Sequence, residues 1–523
     1  MKQFYVFVLS LLIPLCASAK FVDESRARQL VSDCMMDVLI NSASIGDVSQ
    51  MKYEGDAAYY VINMQPEGWV IVAASDAVSP VIAYNTTGRF DMTPEMSNVN
   101  WWMNKVAAVV SESIRTDAPS LEDWTFHHHP ATRGGEVIIQ PLIKVHWNQG
   151  SPYNQFCPTD GVDRAIVGCV AVGMAQAMSV AKWPERPVGS HSYLHDTYGV
   201  VSVDYDSEEP YDWNAMLSGD KTEAARLLYH CGVSVDMDYG PSSSGAFTED
   251  IKAAMVRYFS YPTTLKYTYK DNVADYDWNN MCLEELKAGR AIIMRGTDSG
   301  GGGGHCYNVD GYDGALFHFN WGWGGHCDGY YAMGDMKLPG GNGNYCEAMA
   351  AVTLVRAPNF KPTDAYLSTD KVNADAPTGS LVAKVIVECE VESQYEYKIT
   401  GRLNPTTHKY RTVPFAFDGN GNLYTTKEMT KEKKDGYDEE AGGYNVIISV
   451  TSLKTGDKLQ RETVIKVVNE TLVQEIAAEP NVVSEEFFSL DGRRHAFDEL
   501  GSGIYLSVKC FSDGSRSVTK HLK

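Results

Sequence analysis

One cysteine of this 523-residue chain stands at the front of an apolar segment, where it could act as a nucleophile. The segment is GCVAVGMAQAM, Gly168 to Met178. From Val170 onward, apolar residues recur at the spacing of one helix face, which predicts a buried helix with Cys169 in its first turn. A helix N-terminus stabilises a thiolate and lowers its pKa. The alternative is an unreactive thiol that only packs in the core, which is common because free cysteine is among the most buried residue types.

A thiolate nucleophile also needs a base and a group that orients the base. His305 enters the alternating strand HCYNVDGY directly after five glycines, Gly300 to Gly304. Asn320 follows a second alternating strand, and its side-chain oxygen can accept the Nδ1–H of His305. Trp321 can shield that hydrogen bond from water. The competing interpretations are a surface glycine loop with an incidental histidine and a hairpin with structural tryptophans.

The remaining requirement is a donor for the negative oxygen that develops during acyl transfer. Gln149 lies twenty positions before Cys169, and its amide together with the Cys169 backbone N–H can form such an oxyanion hole. A single glutamine is weak support, since most glutamines are solvated. The order Gln, Cys, His, Asn is far less expected by chance, and it predicts no cofactor and no metal.

Composition excludes some classes of partner. Lys and Arg total 45 against 67 Asp and Glu, a formal net charge of −22, which disfavours nucleic acid and anionic membrane as partners. Residues 1–19 combine Lys2, an apolar run and the small-residue site Ala17-Ser18-Ala19, which predicts a secretory signal peptide. After residue 19 the sequence contains no run of about 18 apolar residues, so no membrane span is predicted.

Cysteine and histidine clusters leave two further questions. Of eleven cysteines, seven lie between Cys157 and Cys346; with Cys169 free, the other six can pair in fifteen ways, and the sequence does not choose among them. His127, His128 and His129 are consecutive and lack a framing Cys or carboxylate pattern, so a metal site there is disfavoured.

The elements that must position these residues fall into several segments. Residues 20–133 contain a helical pattern, two strand-like runs and an amphipathic helix, followed by a polar linker. Residues 134–356 hold the candidate catalytic groups. Residues 357–473 are β-rich, which suggests a small antiparallel sandwich, and residues 474–523 form further short strands. The stretch DGNGN, Asp418 to Asn422, resembles a calcium loop, but Met429 occupies the place of the required Glu, so a hairpin turn is predicted.

Four motifs together resemble the streptopain family of secreted, papain-fold bacterial cysteine peptidases: WNQGSPYN, VGCVAVGMAQ, GGHCYNVDGYD and FHFNWGWGGHCDGYY. The segment GWVIVAASDAVSPVIAYNTTGRF resembles the inhibitory prodomain of that family. The resemblance implies Cys169 as nucleophile, His305 as general base and acid, and Gln149 in the oxyanion hole, with Asn320 and Trp321 supporting the histidine. The expected fold class is α+β: a papain-like domain after an α+β prodomain and before β-sandwich-like domains.

The resemblance also sets expectations about activity and export. It implies a zymogen that cleaves proteins or peptides with a hydrophobic residue just before the cleaved one, silenced by its prodomain until the linker near Arg133-Gly134 is cut. SLDGRR, GSGIYLSV and SVTKHLK resemble a type IX secretion sorting domain, which implies that secretion machinery as a partner. The expected location is outside a Gram-negative cell or on its surface.

Three alternatives share some of these features. A transglutaminase-like acyltransferase would use the same Cys and His but transfer acyl groups to amines. A non-enzymatic surface adhesin would act through the β-rich region. A disulfide-locked structural protein would have Cys169 oxidised.

Overall fold

The computed structural model describes residues 20–39, 44–126, 137–297, 304–333, 349–390, 393–404, 406–429 and 436–469, and the backbone of four later strands. The chain divides into two compact units, residues 1–359 and 360–523. The predicted signal peptide, the histidines at 127–129 and the linker at Arg133-Gly134 lie outside the described residues.

The first part of unit one contains the predicted prodomain elements. The side chain of Asp23 starts the first helix by accepting a hydrogen bond from the Arg26 N–H, as an N-cap residue does. Both predicted helices and both predicted strands are present, and they are joined by two further strands. The elements are α1 (Glu24–Cys34), β1 (Ser44–Tyr53), β2 (Asp56–Gln65), β3 (Trp69–Ala73), β4 (Val81–Asn85) and α2 (Ser97–Arg115).

The second part of unit one carries the candidate catalytic residues. Its helices are α3 (Cys169–Ala181), α4 (Trp213–Leu217), α5 (Lys221–Ser234), α6 (Asp250–Phe259) and α7 (Asp275–Lys287), with 3₁₀ turns at Tyr205–Ser207 and Lys270–Asn272. Its strands are β5 (Ser190–His195), β6 (Gly199–Asp204), β7 (Lys266–Tyr269), β8 (Ile292–Thr297), β9 (Gly304–Tyr312), β10 (Phe317–Asn320), β11 (Gly329–Tyr331) and β12 (Ala350–Thr353).

One sheet runs through both parts of unit one. Its order is β1-β2-β3-β4-β11-β10-β9-β8-β12-β7, and the two parts join where β4 pairs antiparallel with β11. Helix α2 packs across β1, β2 and β9, and apolar residues of both parts form one buried cluster. Helix α3 packs on the catalytic part, against β8, β9 and α5. The prodomain therefore completes a core that the catalytic part shares.

The second unit begins with the sandwich that the sequence predicts. Two sheets, β13-β15-β18-β17 and β14-β21-β20-β16 with β19 beside β20, enclose a common apolar core. One pairing, β14 with β21, is parallel, so the expectation of a wholly antiparallel sandwich is wrong there. The strands are β13 (Asp364–Leu367), β14 (Lys371–Asn373), β15 (Leu381–Glu388), β16 (Tyr395–Gly401), β17 (Phe415–Phe417), β18 (Asn422–Thr425), β19 (Tyr437–Asp438), β20 (Gly443–Ser452) and β21 (Lys458–Val468).

The predicted hairpin turn at DGNGN is confirmed. It connects the antiparallel strands β17 and β18, and the Asp418 carboxylate accepts hydrogen bonds from the N–H groups of Asn420 and Asn422. Beyond the sandwich, four strands form an antiparallel sheet in the order β23-β22-β24-β25. They are β22 (Val482–Ser489), β23 (Arg494–His495), β24 (Ile504–Phe511) and β25 (Arg516–Leu522).

Candidate active site

Cys169 is the first residue of helix α3, as the sequence predicts. The preceding Gly168 has φ +89°, and a Cβ there would lie 2.6 Å from the Met237 sulfur, so only glycine fits this turn. The helix behind the cysteine is almost entirely buried, from Val170 to Ser179. This buried helix fixes the position of Cys169, which as a whole residue is partly exposed although its sulfur is desolvated.

The electrostatic environment of Cys169 combines two opposing effects. Burial raises the pKa of the thiol above its ordinary value, while the backbone N–H groups of Cys306, Cys169 and Val170 act to lower it. The helix N-terminus therefore favours the thiolate as expected, but desolvation is the larger effect. The prediction of a lowered pKa is wrong for the chain with its prodomain in place.

Three of the five predicted site residues line one cavity of about 670 Å³: Cys169, His305 and Gln149. His305 is the second residue of β9 and pairs with Gly296 of β8. Gln149 is buried, and its carbonyl accepts a 2.9 Å hydrogen bond from the N–H of Val167. That bond ties the glutamine to the residue two positions before the nucleophile.

Asn320 and Trp321 lie outside the described lining of this cavity. The Asn320 side-chain oxygen accepts hydrogen bonds from Gln176 Nε2 at 2.9 Å and from the Gly322 N–H at 3.1 Å. Trp321 is fully buried and its ring packs against those of Tyr307 and Tyr331. Both residues adjoin the strands that present the histidine, and the hydrogen bond from His305 to Asn320 stays a prediction.

The prodomain also reaches this cavity. Pro94, Glu95 and Ser97, at the start of α2, line it together with Cys169 and His305. One turn into α2, the Trp101 ring lies 5.8 Å from the His305 ring, centroid to centroid. The prodomain therefore forms part of the wall of this cavity.

Comparison with known sequences decides the family. Residues 147–331 match the Peptidase C10 family, and residues 19–110 match the Spi protease inhibitor. Residues 147–331 of the chain are a peptidase C10 domain. The predicted streptopain-family peptidase with a papain-like fold and an inhibitory prodomain is therefore confirmed, and this C10 cysteine peptidase carries its inhibitor in the same polypeptide.

Relatives of this C10 peptidase cover the chain to different extents. The thiol protease/hemagglutinin PrtT of Porphyromonas gingivalis is 29% identical over 318 residues, which are 55% of this chain but only 36% of PrtT. Streptopain of Streptococcus pyogenes is 27% identical over 376 residues, 64% of this chain and 89% of streptopain. The structure of Prevotella intermedia prointerpain A aligns with a TM-score of 0.51 at 27% identity, covering 60% of this chain and all of that one.

The prodomain is joined to the C10 catalytic part by side chains as well as by the sheet. The Asn98 amide nitrogen donates to the carbonyl oxygens of Cys306 and Trp321, at 3.2 and 2.8 Å. On β4, the Tyr84 hydroxyl donates to a carboxylate oxygen of Asp313 at 2.6 Å, and Asn85 Nδ2 donates to the Asp328 carbonyl at 2.6 Å. These contacts are buried or partly buried, so they form a specific interface.

Sequence reasoning missed two buried amides that connect the catalytic elements. Gln176 Nε2 on α3 donates to the side-chain oxygens of Asn308 on β9 and Asn320 on β10. Asn308 Nδ2 donates to the Gly173 carbonyl at 2.9 Å. All three amide side chains are at most 2% exposed. A glutamine inside an otherwise apolar helix was the signal that could have found them, because a buried polar group needs a partner.

The remaining expectations concern thiols, metals and membranes. Eight cysteines within the described residues, Cys169 among them, are free thiols, which argues against the disulfide-locked alternative. Within the same ranges, no group of three or more His, Cys, Asp or Glu residues is arranged to hold a metal ion. No described helix combines the length and apolarity that a membrane crossing requires.

Proposed function

We propose that this C10 peptidase hydrolyses peptide bonds through Cys169 as nucleophile and His305 as general base and acid. The observation that carries this proposal is the convergence of Cys169, His305 and Gln149 on one cavity although they are widely separated in sequence. The backbone N–H of Cys306, next to His305, is directed at the Cys169 sulfur, which puts the start of β9 beside the nucleophile.

The proposed reaction consists of two acyl transfers, first to Cys169 and then to water. The Cys169 thiolate attacks the substrate carbonyl carbon, while the Gln149 amide and the Cys169 backbone N–H stabilise the oxyanion. The C–N bond then breaks, and protonated His305 gives its proton to the leaving amine. Neutral His305 takes a proton from water, whose oxygen attacks the thioester and releases the acid and the thiolate.

Asn320 and Trp321 are assigned the role of holding the histidine. Asn320 ends β10, which is hydrogen-bonded to β9, the strand that carries His305. The amide link to Gln176 fixes the Asn320 side chain. Trp321 is part of a buried aromatic cluster behind the site, where it excludes water from the histidine's support.

Substrate choice follows from the other walls of the cavity. Ile166, Ala246 and Phe247 contribute apolar surface, and Phe247 is 75% exposed. A large exposed apolar side chain beside a catalytic group favours an apolar substrate residue. This supports the expected preference for a hydrophobic residue just before the cleaved one.

The chain is proposed to be an exported zymogen. The prodomain fills part of the active site, cleavage of the linker near Arg133-Gly134 starts activation, and residues 1–19 direct export. Residues 474–523, whose last strands form a small sheet, are proposed as the type IX sorting signal. The enzyme then works outside a Gram-negative cell or on its surface.

The test compares Cys169→Ala with Cys389→Ala, a partly buried thiol of the second unit. Casein hydrolysis and the intact mass of the full chain are followed over time. Cys169→Ala is expected to lose hydrolysis and stay at full length, while Cys389→Ala behaves as wild type. Full activity of Cys169→Ala would overturn the assignment. If an epoxide thiol inhibitor of the papain class modified Cys306 and not Cys169, the nucleophile would be Cys306. Amine incorporation without proteolysis would favour the acyltransferase.

A further inference from the structure

Strand β11 follows the turn that carries the cavity-lining Trp323, and strand β4 of the prodomain covers its edge. Resting on the proposed function, we propose that this edge, once the prodomain has left, binds the substrate polypeptide on the side that follows the scissile bond. The substrate segment adds to β11 along the path of β4 but in the opposite chain direction, and so as a parallel strand. The preferred substrate is therefore a protein with an extended or unfolded stretch after the cleavage site.

Backbone pairing shows what the edge accepts. Tyr330 and Tyr331 of β11 pair with Tyr84 and Ala83 of β4, and the Ala332 N–H donates to the Ile82 carbonyl at 2.9 Å. Departure of β4 removes these partners and exposes donors and acceptors of a short edge strand. Such an edge is a template for a further strand, with main-chain hydrogen bonds supplying affinity.

Gly329, the first residue of β11, allows a neighbouring chain to approach closely because it lacks a Cβ. A Cβ added there would lie 2.6 Å from the Tyr84 carbonyl oxygen and within 3 Å of the Trp69 ring. The three nearest atoms all belong to the prodomain, so the glycine makes room for the chain seated on β11. A glycine within a strand often marks such a close approach of another backbone.

The edge also offers a place for one side chain. The Tyr84 ring stacks on the Tyr330 ring at 5.3 Å with an interplanar angle of 20°. Its hydroxyl donates to Asp313, which is 4% exposed. When Tyr84 leaves, this buried carboxylate loses a donor. A substrate tyrosine opposite Tyr330 would restore both the stacking and the hydrogen bond, so specificity for an aromatic hydroxyl is expected there.

The direction of the substrate follows from the chemistry. Because His305 protonates the leaving amine, the residues after the scissile bond leave the site past His305. On that side Asn98 contacts the carbonyls of Cys306 and Trp321. The prodomain itself runs from Asn85, at the end of β4, to Ser97 in the cavity, twelve positions apart. Twelve extended residues span at most about 40 Å, so a substrate of similar length can occupy both places, running from the cavity to β11 and thus opposite to the prodomain.

The experiment uses the active form that the full chain generates on incubation. Three peptides share one cleavage sequence: one ends two residues after the scissile bond, one continues for about fifteen residues with a tyrosine-containing strand, and one is the long peptide with alternate N-methylated amides. The long peptide is expected to exceed the short one about tenfold in kcat/KM, which corresponds to about 1.4 kcal/mol. N-methylation, which removes strand donors, is expected to abolish the gain.

Gly329→Ala tests the edge directly. The ratio of kcat/KM for the long peptide over the short one is expected to fall towards one, while Gly419→Ala, where a Cβ meets open space in the second unit, keeps the wild-type ratio. Equal cleavage of long and short peptides by wild type, or a gain that survives N-methylation, overturns the inference while leaving the peptidase intact. Failure to cleave either peptide, with Cys169 intact, counts instead against the proposed function.

Discussion

The indole Nε1–H of Trp323 donates a 2.6 Å hydrogen bond to the side-chain oxygen of Asn98. The amide nitrogen of the same asparagine donates to two carbonyls of the catalytic part, those of Cys306 and Trp321. One fully buried prodomain side chain therefore holds the strand that presents His305 and the turn after Asn320 together.

Asn98→Ala is expected to weaken latency. It removes the three hydrogen bonds to Cys306, Trp321 and Trp323 and leaves a buried indole N–H without its partner. This loss costs about 2 kcal/mol, or about thirtyfold in the affinity of the prodomain for the site. Self-processing, followed by intact mass, is expected to be faster. The matched control is Asn100→Ala on the same helix, whose amide donates to Thr93 within the prodomain. Unchanged processing of Asn98→Ala would show that latency is held elsewhere.

Thiol labelling reports the pKa of Cys169. Because burial raises this pKa in the full chain, the thiolate fraction is small at pH 7 and grows as the pH rises above 9, the ordinary value for this group. Labelling of the Cys169 peptide by iodoacetamide is expected to be slow below pH 8 and to accelerate beyond it. After processing, pairing with His305 is expected to keep labelling fast from pH 6 to 8. Rapid, pH-independent labelling of the full chain contradicts this account.

Gln149→Ala is expected to lower kcat by about 10²–10³ while KM changes little, because the amide acts on the oxyanion and less on the bound substrate. Peptide hydrolysis by the processed enzyme measures both constants. Gln155→Ala is the matched control, since this exposed glutamine lies on the same segment and its amide donates to the Lys221 carbonyl at 3.4 Å, away from the cavity. A rise in KM alone would assign Gln149 to substrate binding.

Gln176→Leu is expected to reduce kcat/KM about tenfold or more and to destabilise the fold by about 2 kcal/mol, because two buried amides lose their donor. Since Asn320 is proposed to position the histidine, the acid limb of the pH profile of kcat/KM should also move. Ser179→Ala is the control, a buried hydroxyl on the same helix that donates to the Gln176 backbone carbonyl within α3. Loss of stability with an unmoved pH profile would limit Gln176 to a structural role.

His230 makes the catalytic part sensitive to acid. Burial, assisted by Arg226, lowers its pKa to about 3, whereas an unfolded histidine titrates near 6.5. Below pH 6.5, His230 is protonated in the unfolded chain but stays neutral in the folded one. The free energy of unfolding therefore falls by about 1.4 kcal/mol per pH unit down to pH 3. Glu208, 3.6 Å from His230 Nε2, does not reverse this direction, since it also pairs with Arg226.

Denaturant unfolding at pH 7 and pH 5 measures this effect. His230→Gln keeps an acceptor near the Tyr211 hydroxyl. Its free energy of unfolding is expected to fall by about 2 kcal/mol less than that of wild type between pH 7 and pH 5. Equal losses in both proteins would show that other groups govern acid unfolding.

Local pattern was sufficient for many of the elements and for naming a candidate nucleophile. The apolar spacing after Cys169 predicted a buried helix with the cysteine in its first turn, because helix periodicity depends on neighbours within a few residues. The alternating strand after His305 and the β-rich second unit were likewise readable. The motif order Gln, Cys, His, Asn pointed to the chemistry, because each of these residue types has its own role in acyl transfer to a thiol.

What the sequence could not determine is long-range pairing. Gln176, Asn308 and Asn98 lie far apart in the chain. No local pattern predicts that the Gln176 amide hydrogen-bonds to two strands, or that a prodomain asparagine hydrogen-bonds to the Trp321 carbonyl. The same holds for the pKa of Cys169, since desolvation depends on what packs over the thiol, and for β4 and β11, whose pairing makes one sheet of two segments. The sequence by itself determined which residues can do chemistry; the tertiary structure decided how they are held and kept latent, because burial and hydrogen bonding arise from contacts between distant segments.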